Sequence, residues 1–309
     1  MTTRRTFLQI GGGAAVLALG ACSSNDPLAN PTTVAGTATP PAGGSTTLVV
    51  GSQQYYSNEI VAEIYAQALE KAGFTVTRNF QIGQREVYLP EIKAGKIDVF
   101  PEYTGNFLQA LDKSATAKTL AEVEAAITKA LPSGLKVLKA AGASDQDSYN
   151  VTRATADKYG LASLADLTKV KEPITIGGNA ELSSRPYGPQ GLKKEYGVDA
   201  TVIPVEDSGG PLTRKALTDG KVFMVDLYSA DPSIASSGFV TLTDPKSMIL
   251  PQNVIPVVSA KVDAKATAAI EKVQAALDAS TLPRLNAQSK DQQKKSADIA
   301  KAWLAEKGL

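Results

Sequence analysis

The chain of 309 residues contains no histidine and a single cysteine, Cys22. These two facts remove Ser-His-Asp and Cys-His nucleophile systems, His-ligated zinc and cysteine metal clusters. An enzyme would have to run on Asp, Glu, Lys, Tyr or Ser, and the sequence carries neither a nucleophile elbow nor a phosphate-binding loop. The remaining side chains are suited to holding a ligand rather than transforming it. Tyr103 follows a strand-like run beside Pro101, and Tyr228 lies at the end of the run Val222–Asp226. In open α/β sheets ligands collect beyond the carboxyl ends of strands, where both tyrosines would stand. Arg185, in a loop ahead of Pro186, can grip a carboxylate through paired hydrogen bonds or bridge two parts of the molecule by pairing with an acid. Asp226 and Asp231 can offset a positive charge on a ligand or cap the next turn. The expectation is a binding protein with no cofactor, no metal and no catalytic residues.

The elements that must position these residues follow a strand–helix–strand rhythm. Thr47–Gly51 is a short apolar run suited to a buried parallel strand. Ser57 is expected to cap a helix carrying Ile60, Val61, Ile64, Tyr65, Ala68 and Leu69 on one face, with Gly73 ending it. Residues 75–80 alternate as a second strand, residues 85–94 form a helix, and residues 97–100 lead a third strand to Pro101. The order recurs with strands at 174–177, 201–205 and 222–226 and helices near 191–196 and 211–219. Tyr65 and Tyr159 sit on helical faces and are expected in the core, and Tyr196 near a helix end. Two amphipathic helices, 264–279 and 290–306, are expected at the carboxyl end, with Trp303 and Leu304 inward. Strands alternating with helices indicate parallel-sheet α/β units. Two such units fit two lobes better than one large sheet. The chain is expected to cross between lobes near Tyr149–Thr152 and near Asn253–Pro256. Lobe I would then be 46–149 plus 255–309, and lobe II 150–254.

The amino-terminal residues read differently. Arg4 and Arg5, an apolar run over Ile10–Ala21 and the sequence Leu19-Gly20-Ala21-Cys22 make up an export signal over 1–21. The run falls short of the roughly 20 residues that span a bilayer. The paired arginines resemble a twin-arginine address, but Gln9 departs from that pattern, which leaves the general secretion route open. Leu19–Cys22 resembles a bacterial lipobox, so Cys22 is expected to be lipidated and to anchor the protein to the cell membrane on its extracytoplasmic side. Residues 22–45 are rich in Pro, Gly, Ser, Thr and Ala and are expected to form a flexible linker. Loss of Arg4 and Arg5 turns the net charge from +1 to −1, which gives no reason to expect nucleic-acid binding.

The segments Gly51-Ser52, Asn58–Tyr65 and Gly95–Gly105 resemble the substrate-binding proteins of osmoprotectant ABC transporters, for glycine betaine, carnitine, choline and relatives. Ser148-Tyr149, Ser184–Pro186 and Asp226–Asp231 fit the same pattern, and the likeness covers essentially all of residues 47–309. Pro101-Glu102-Tyr103-Thr104-Gly105 is its most specific part. The resemblance implies an α/β, two-lobed periplasmic-binding-protein-like fold of type II, with two chain crossings at the hinge. It also implies a cleft that holds a quaternary ammonium group in a cage of tyrosines. A methylated ammonium carries charge but cannot donate a hydrogen bond, so aromatic faces suit it, each contributing about 0.5–2 kcal/mol when desolvated.

On that resemblance Tyr103, Tyr149 and Tyr228 would be cage walls and Tyr56 the aromatic residue of the first loop. Gln53 would hydrogen-bond the ligand, and Thr104 and Asn106 would donate to its carboxylate, alongside Arg185. Gln252 stands where the family frequently has a tyrosine that closes the cage, Asn106 replaces a common threonine, and Tyr187 a common aspartate. Tyr55 or Tyr187 could fill the missing wall. The resemblance further implies a monomer that closes by a hinge motion and docks on a membrane permease driven by an ATPase. Because of Gln252, the same receptor with a neutral or aromatic ligand stays open as an alternative. A hydrolase or transferase built on Asp, Glu and Lys, or a purely structural envelope lipoprotein, are the rivals of another class.

Overall fold

The computed structural model describes residues 46–309. The expected signal, the linker and Cys22 lie outside the described residues. The first sheet is built from β1 (Thr47–Gly51), β2 (Thr75–Asn79), β3 (Val99–Tyr103), β4 (Leu135–Val137) and β10 (Val254–Ser259), in the order β2-β1-β3-β10-β4. The second holds β5 (Asp147–Val151), β6 (Ile174–Gly178), β7 (Ala200–Pro204), β8 (Met224–Tyr228) and β9 (Val240–Thr241), in the order β7-β6-β8-β5-β9. Both sheets follow one plan. Three parallel strands are joined by a fourth that runs antiparallel, and that fourth strand is the one that has just crossed from the other lobe. The fold is the two-lobed α/β type.

Burial explains the strand choices. β3 and β10 are buried along their whole length, as continuous apolar runs must be when helices cover both faces. β2 and β7, at the sheet edges, carry mostly exposed residues. Helix α1 (Tyr56–Lys71) buries Ile60, Val61, Ile64, Tyr65 and Leu69 against the first sheet, and Gly73 beyond its end takes a φ of 89°. The helix starts at Tyr56, before the expected cap. Ser57 lies inside the first turn and donates its hydroxyl to Asp145 (2.8 Å) instead of capping.

Helix α2 (Arg85–Lys93) precedes β3, and α3 (Thr104–Leu111) and α4 (Leu120–Ala130) follow it; sequence pattern alone assigns no element to the stretch holding α4 and β4. In lobe II the helices are α5 (Arg153–Tyr159), α6 (Pro189–Gly191, continuing as a π-turn over Leu192–Tyr196), α7 (Pro211–Thr218) and the short α8 (Ser233–Ser236). Three helices, not two, close the chain: α9 (Ala264–Ala276), α10 (Thr281–Lys290) and α11 (Ser296–Lys307). The middle one is hidden from pattern reading by Pro283, which the first turn of a helix tolerates. It buries Leu282 and Leu285 beside the fully packed Trp303.

The crossings also differ from expectation. Asp147 already pairs with Tyr228 in the second sheet, and Met248 and Ile249 still belong to the lobe II core. The chain therefore changes sheet at 144–146 and again at 250–253, a few residues before each expected point. There the two segments lie side by side: Ser144 bridges Asn253, and the Asp145 amide donates to the Gln252 carbonyl (3.2 Å).

Gly105 sits against this hinge. A Cβ there would come within 2.5 Å of Leu250 Cβ and 2.9 Å of the Pro251 carbonyl oxygen. Gly105→Ala is expected to cost about 1–3 kcal/mol through overpacking, read as a lowered urea midpoint with unchanged slope. An unchanged midpoint would show that the hinge yields freely.

Candidate ligand-binding site

The cleft between the lobes closes over a cavity of about 50 Å³ at the carboxyl ends of β1, β3, β6 and β8. Each lobe supplies two tyrosines. Tyr55, the residue ahead of α1, and Tyr103, the last of β3, come from lobe I; Tyr187, in the loop before α6, and Tyr228, the last of β8, come from lobe II. Tyr55 is the centre of the group. Its ring lies 5.0 Å from that of Tyr228 and 6.3 Å from that of Tyr103, centroid to centroid. The Tyr103 hydroxyl is buried and finds no hydrogen-bond partner among the described residues. A buried hydroxyl left so is costly unless something else fills its place.

Three carboxylates share the cavity. Asp145 lies in the crossing just ahead of β5, Asp147 opens β5, and Asp226 comes from the neighbouring β8. Asp145 accepts from the Ala230 amide (2.9 Å) and the Ser57 hydroxyl (2.8 Å), and Asp147 accepts from the Asn106 carboxamide (2.7 Å). Burial pushes Asp145 up to about 7, against the pull of those two donors and with help from the charges of Asp231 and Asp147. Asp226 is raised well above the ordinary carboxylate range, first by burial and then by the charge of Asp147. No group of acids among the described residues is arranged to hold a metal ion.

Two arginines complete the wall, and both are engaged. Arg85 is buried and forks onto Glu102 at 2.9 and 3.0 Å, while the Tyr88 hydroxyl donates to the same carboxylate (2.7 Å). Arg185 of lobe II forks across the cleft onto Glu86 of α2 at 2.5 and 3.0 Å. Of its two expected uses, this conformation displays the bridge. Asn106 adds a second inter-lobe contact through Asp147 and the Tyr187 hydroxyl, and Gln54 a third to Ser208 (3.1 Å).

The structure brings Gln53, Tyr103, Asn106, Arg185 and Tyr228 to this one cavity. It keeps four other expected contacts away from it. Tyr149 is buried in the lobe II core, and its hydroxyl is taken by the Tyr187 carbonyl (2.7 Å). The Thr104 hydroxyl is used twice within the hinge, donating to the Pro251 carbonyl (2.6 Å) and accepting from the Asn253 amide (3.1 Å). Gln252 is fully buried and clasps Asn106 at both ends of its carboxamide, at 2.7 and 3.0 Å. Tyr56 lies under the Lys290 ammonium, 4.9 Å from its ring centre, while its neighbour Tyr55 takes the cavity position. Asp231 caps the turn at Ser233 and pairs with Lys290 rather than facing the cavity. Sequence reasoning missed Asp145, Asp147 and Arg85. The first two could have been sought from their spacing of two in Asp145-Gln146-Asp147, which in extended chain lets both side chains face one way. Arg85 has no such signal.

The Arg85–Glu102 pair underlies Tyr103, whose amide donates to Glu102 (3.0 Å). Glu102→Gln removes the counter-charge of a buried guanidinium and is expected to cost about 3–5 kcal/mol of unfolding free energy in chemical denaturation. A loss under 1 kcal/mol would mean that Arg85 finds another acid.

Comparison with known proteins places these features. The chain is 27% identical over 265 residues to the glycine betaine-binding protein YehZ of Escherichia coli K12, covering 81% of this chain and 87% of that one. It is 24% identical to the ergothioneine transport permease/ergothioneine binding protein EgtU of Helicobacter pylori G27, covering 84% of this chain but only 46% of that longer protein. A crystal structure of a glycine betaine/carnitine/choline ABC transporter protein superposes with a TM-score of 0.66 at 22% identity, covering 84% of this chain and 98% of the other. The family model for the substrate-binding domain of ABC-type glycine betaine transport systems matches residues 46–306, and its members bind solutes for transport rather than catalyse reactions. The chain belongs to that family of transport substrate-binding domains.

Proposed function

We propose that this protein captures a quaternary ammonium solute of the glycine betaine and choline kind between its lobes and delivers it to an ABC permease. The observation that carries this reading is the convergence of Tyr55, Tyr103, Tyr187 and Tyr228, two from each lobe, on one cavity that also holds three carboxylates. Aromatic faces attract a cation that cannot hydrogen-bond, and acids beyond them add long-range attraction. The two crossings give the hinge about which the lobes open and close. In the cell the reading places the protein outside the cytoplasm, tethered through a lipid on Cys22, as a monomer that meets its permease and ATPase at the membrane. Gln252 bonds to Asn106, and on this reading Tyr55 and Tyr187, which line the cavity, stand in for the wall expected to be missing there.

Titration calorimetry of the protein with choline, glycine betaine and carnitine tests the reading. At least one should bind saturably, and Tyr55→Ala or Tyr103→Ala should each weaken that binding by about 2- to 30-fold, the worth of one cation–aromatic contact. Tyr149→Ala should act mainly through stability instead. Absence of heat with every quaternary amine would refute the proposal.

A further inference from the structure

The chamber has an excess of negative charge that its own cations do not answer. Arg85 is satisfied by Glu102 and Arg185 by Glu86, each through two hydrogen bonds. Asp145, Asp147 and Asp226 therefore line the cavity with the four tyrosines and make no salt bridge among the described residues. Lys290 and Arg214 pair with Asp231, and Lys290 also lies over the ring of Tyr56. Glu181, at the lobe II rim, adds a further acid with one buried oxygen unpartnered, as is the Tyr103 hydroxyl beside it in the wall. Burial of this kind disfavours the charged form of a carboxyl group.

Resting on the receptor reading above, we infer that Asp145, Asp147 and Asp226 make the chamber selective for ligands of net positive charge over zwitterions, and that it gives up a proton when such a ligand enters. The reasoning has two parts. A zwitterion brings a carboxylate that needs a cation, and both arginines in the wall would have to abandon Glu102 or Glu86 to supply one. A plain cation needs only the carboxylates already present. In the empty chamber the cavity-lining Asp145 is buried, and burial favours its protonated form, in keeping with its raised position. On binding, that proton passes to solvent, its bonding pair stays on the carboxylate oxygen, and the ligand's charge replaces it. No covalent bond to the ligand forms or breaks.

The sign of the pH effect follows. Protonated acids oppose cation binding, so affinity is highest above the empty-state titration near 7 and falls as pH drops below it, by up to tenfold per unit for one displaced proton. The tyrosines titrate well above this window and do not contribute.

Calorimetry with choline, which carries net charge +1, and glycine betaine, which is neutral overall, decides the matter from pH 5 to 8. Repeating the choline titration at pH 6 in buffers of different ionisation enthalpy counts the protons released. We expect choline to bind at least tenfold more tightly than glycine betaine at pH 8, the gap to narrow towards pH 5, and a net proton release on choline binding. Asp226→Asn should flatten the choline profile and reduce the preference; should that variant not fold, the proton count on the unaltered protein decides alone. Glycine betaine binding as tightly as choline at pH 8, or choline binding that is flat with pH and releases no proton, would overturn this inference and leave the receptor reading intact. Failure of both ligands and of carnitine to bind would overturn the two together.

Discussion

The walls of the cleft are all held in relation to one short stretch where the two crossings run beside each other. The Asp145 amide donates to the Gln252 carbonyl, Ser144 bridges Asn253, and Thr104 is fastened to both Pro251 and Asn253. Upstream of this stretch lies the strand that carries Tyr103; downstream, Asp147 opens the strand that pairs with Tyr228. Two lobes could be joined by any two linkers. Linkers that pair with one another fix a common axis, so the side chains at either end return to the same place each time the lobes meet. The same local geometry explains why Asp147 stands near Asp226: β5 enters the second sheet antiparallel to β8, with Asp147 opposite Tyr228 and Tyr149 opposite Asp226.

Much of the fold is legible in the sequence because its signals are local and repeated. The runs Thr47–Gly51, Ile174–Gly178 and Met224–Tyr228 are apolar, short and bounded by glycine, aspartate or proline, and the helices between them keep a clear apolar face. The plan shared by the two sheets was visible as a recurring element order without any recurring residues. The hinge lies a few residues from its expected place because only a crossing strand's pairing partner tells which lobe it serves. The helix Thr281–Lys290 escaped notice for the opposite reason, since Pro283 interrupts the pattern without interrupting the helix.

At the site, sequence position found which residues stand near the cleft but not which way their polar atoms are spent. Tyr149 and Tyr228 occupy comparable places on adjacent strands. The hydroxyl of the first is claimed by the Tyr187 carbonyl and its ring by the lobe II core, while the second meets Tyr55 across the cleft. Thr104 and Gln252 look like ligand donors until the backbone atoms of the hinge are counted, because those atoms need partners more than a solute does. Arg85 and Glu102 lie 17 residues apart and form a pair that no periodicity announces. Such pairings depend on how elements pack and are set only once the sheets exist.

The division of the four rings between the lobes has a kinetic meaning. The bond from Tyr149 to the Tyr187 carbonyl ties that loop to the lobe II core, so Tyr187 and Tyr228 travel together, and Tyr55 and Tyr103 stay behind with lobe I. On the proposed hinge motion, parting the lobes would split the enclosure into two half-shells. Residence time of anything held there would be governed by how often the hinge swings, rather than by how strongly any single ring clings.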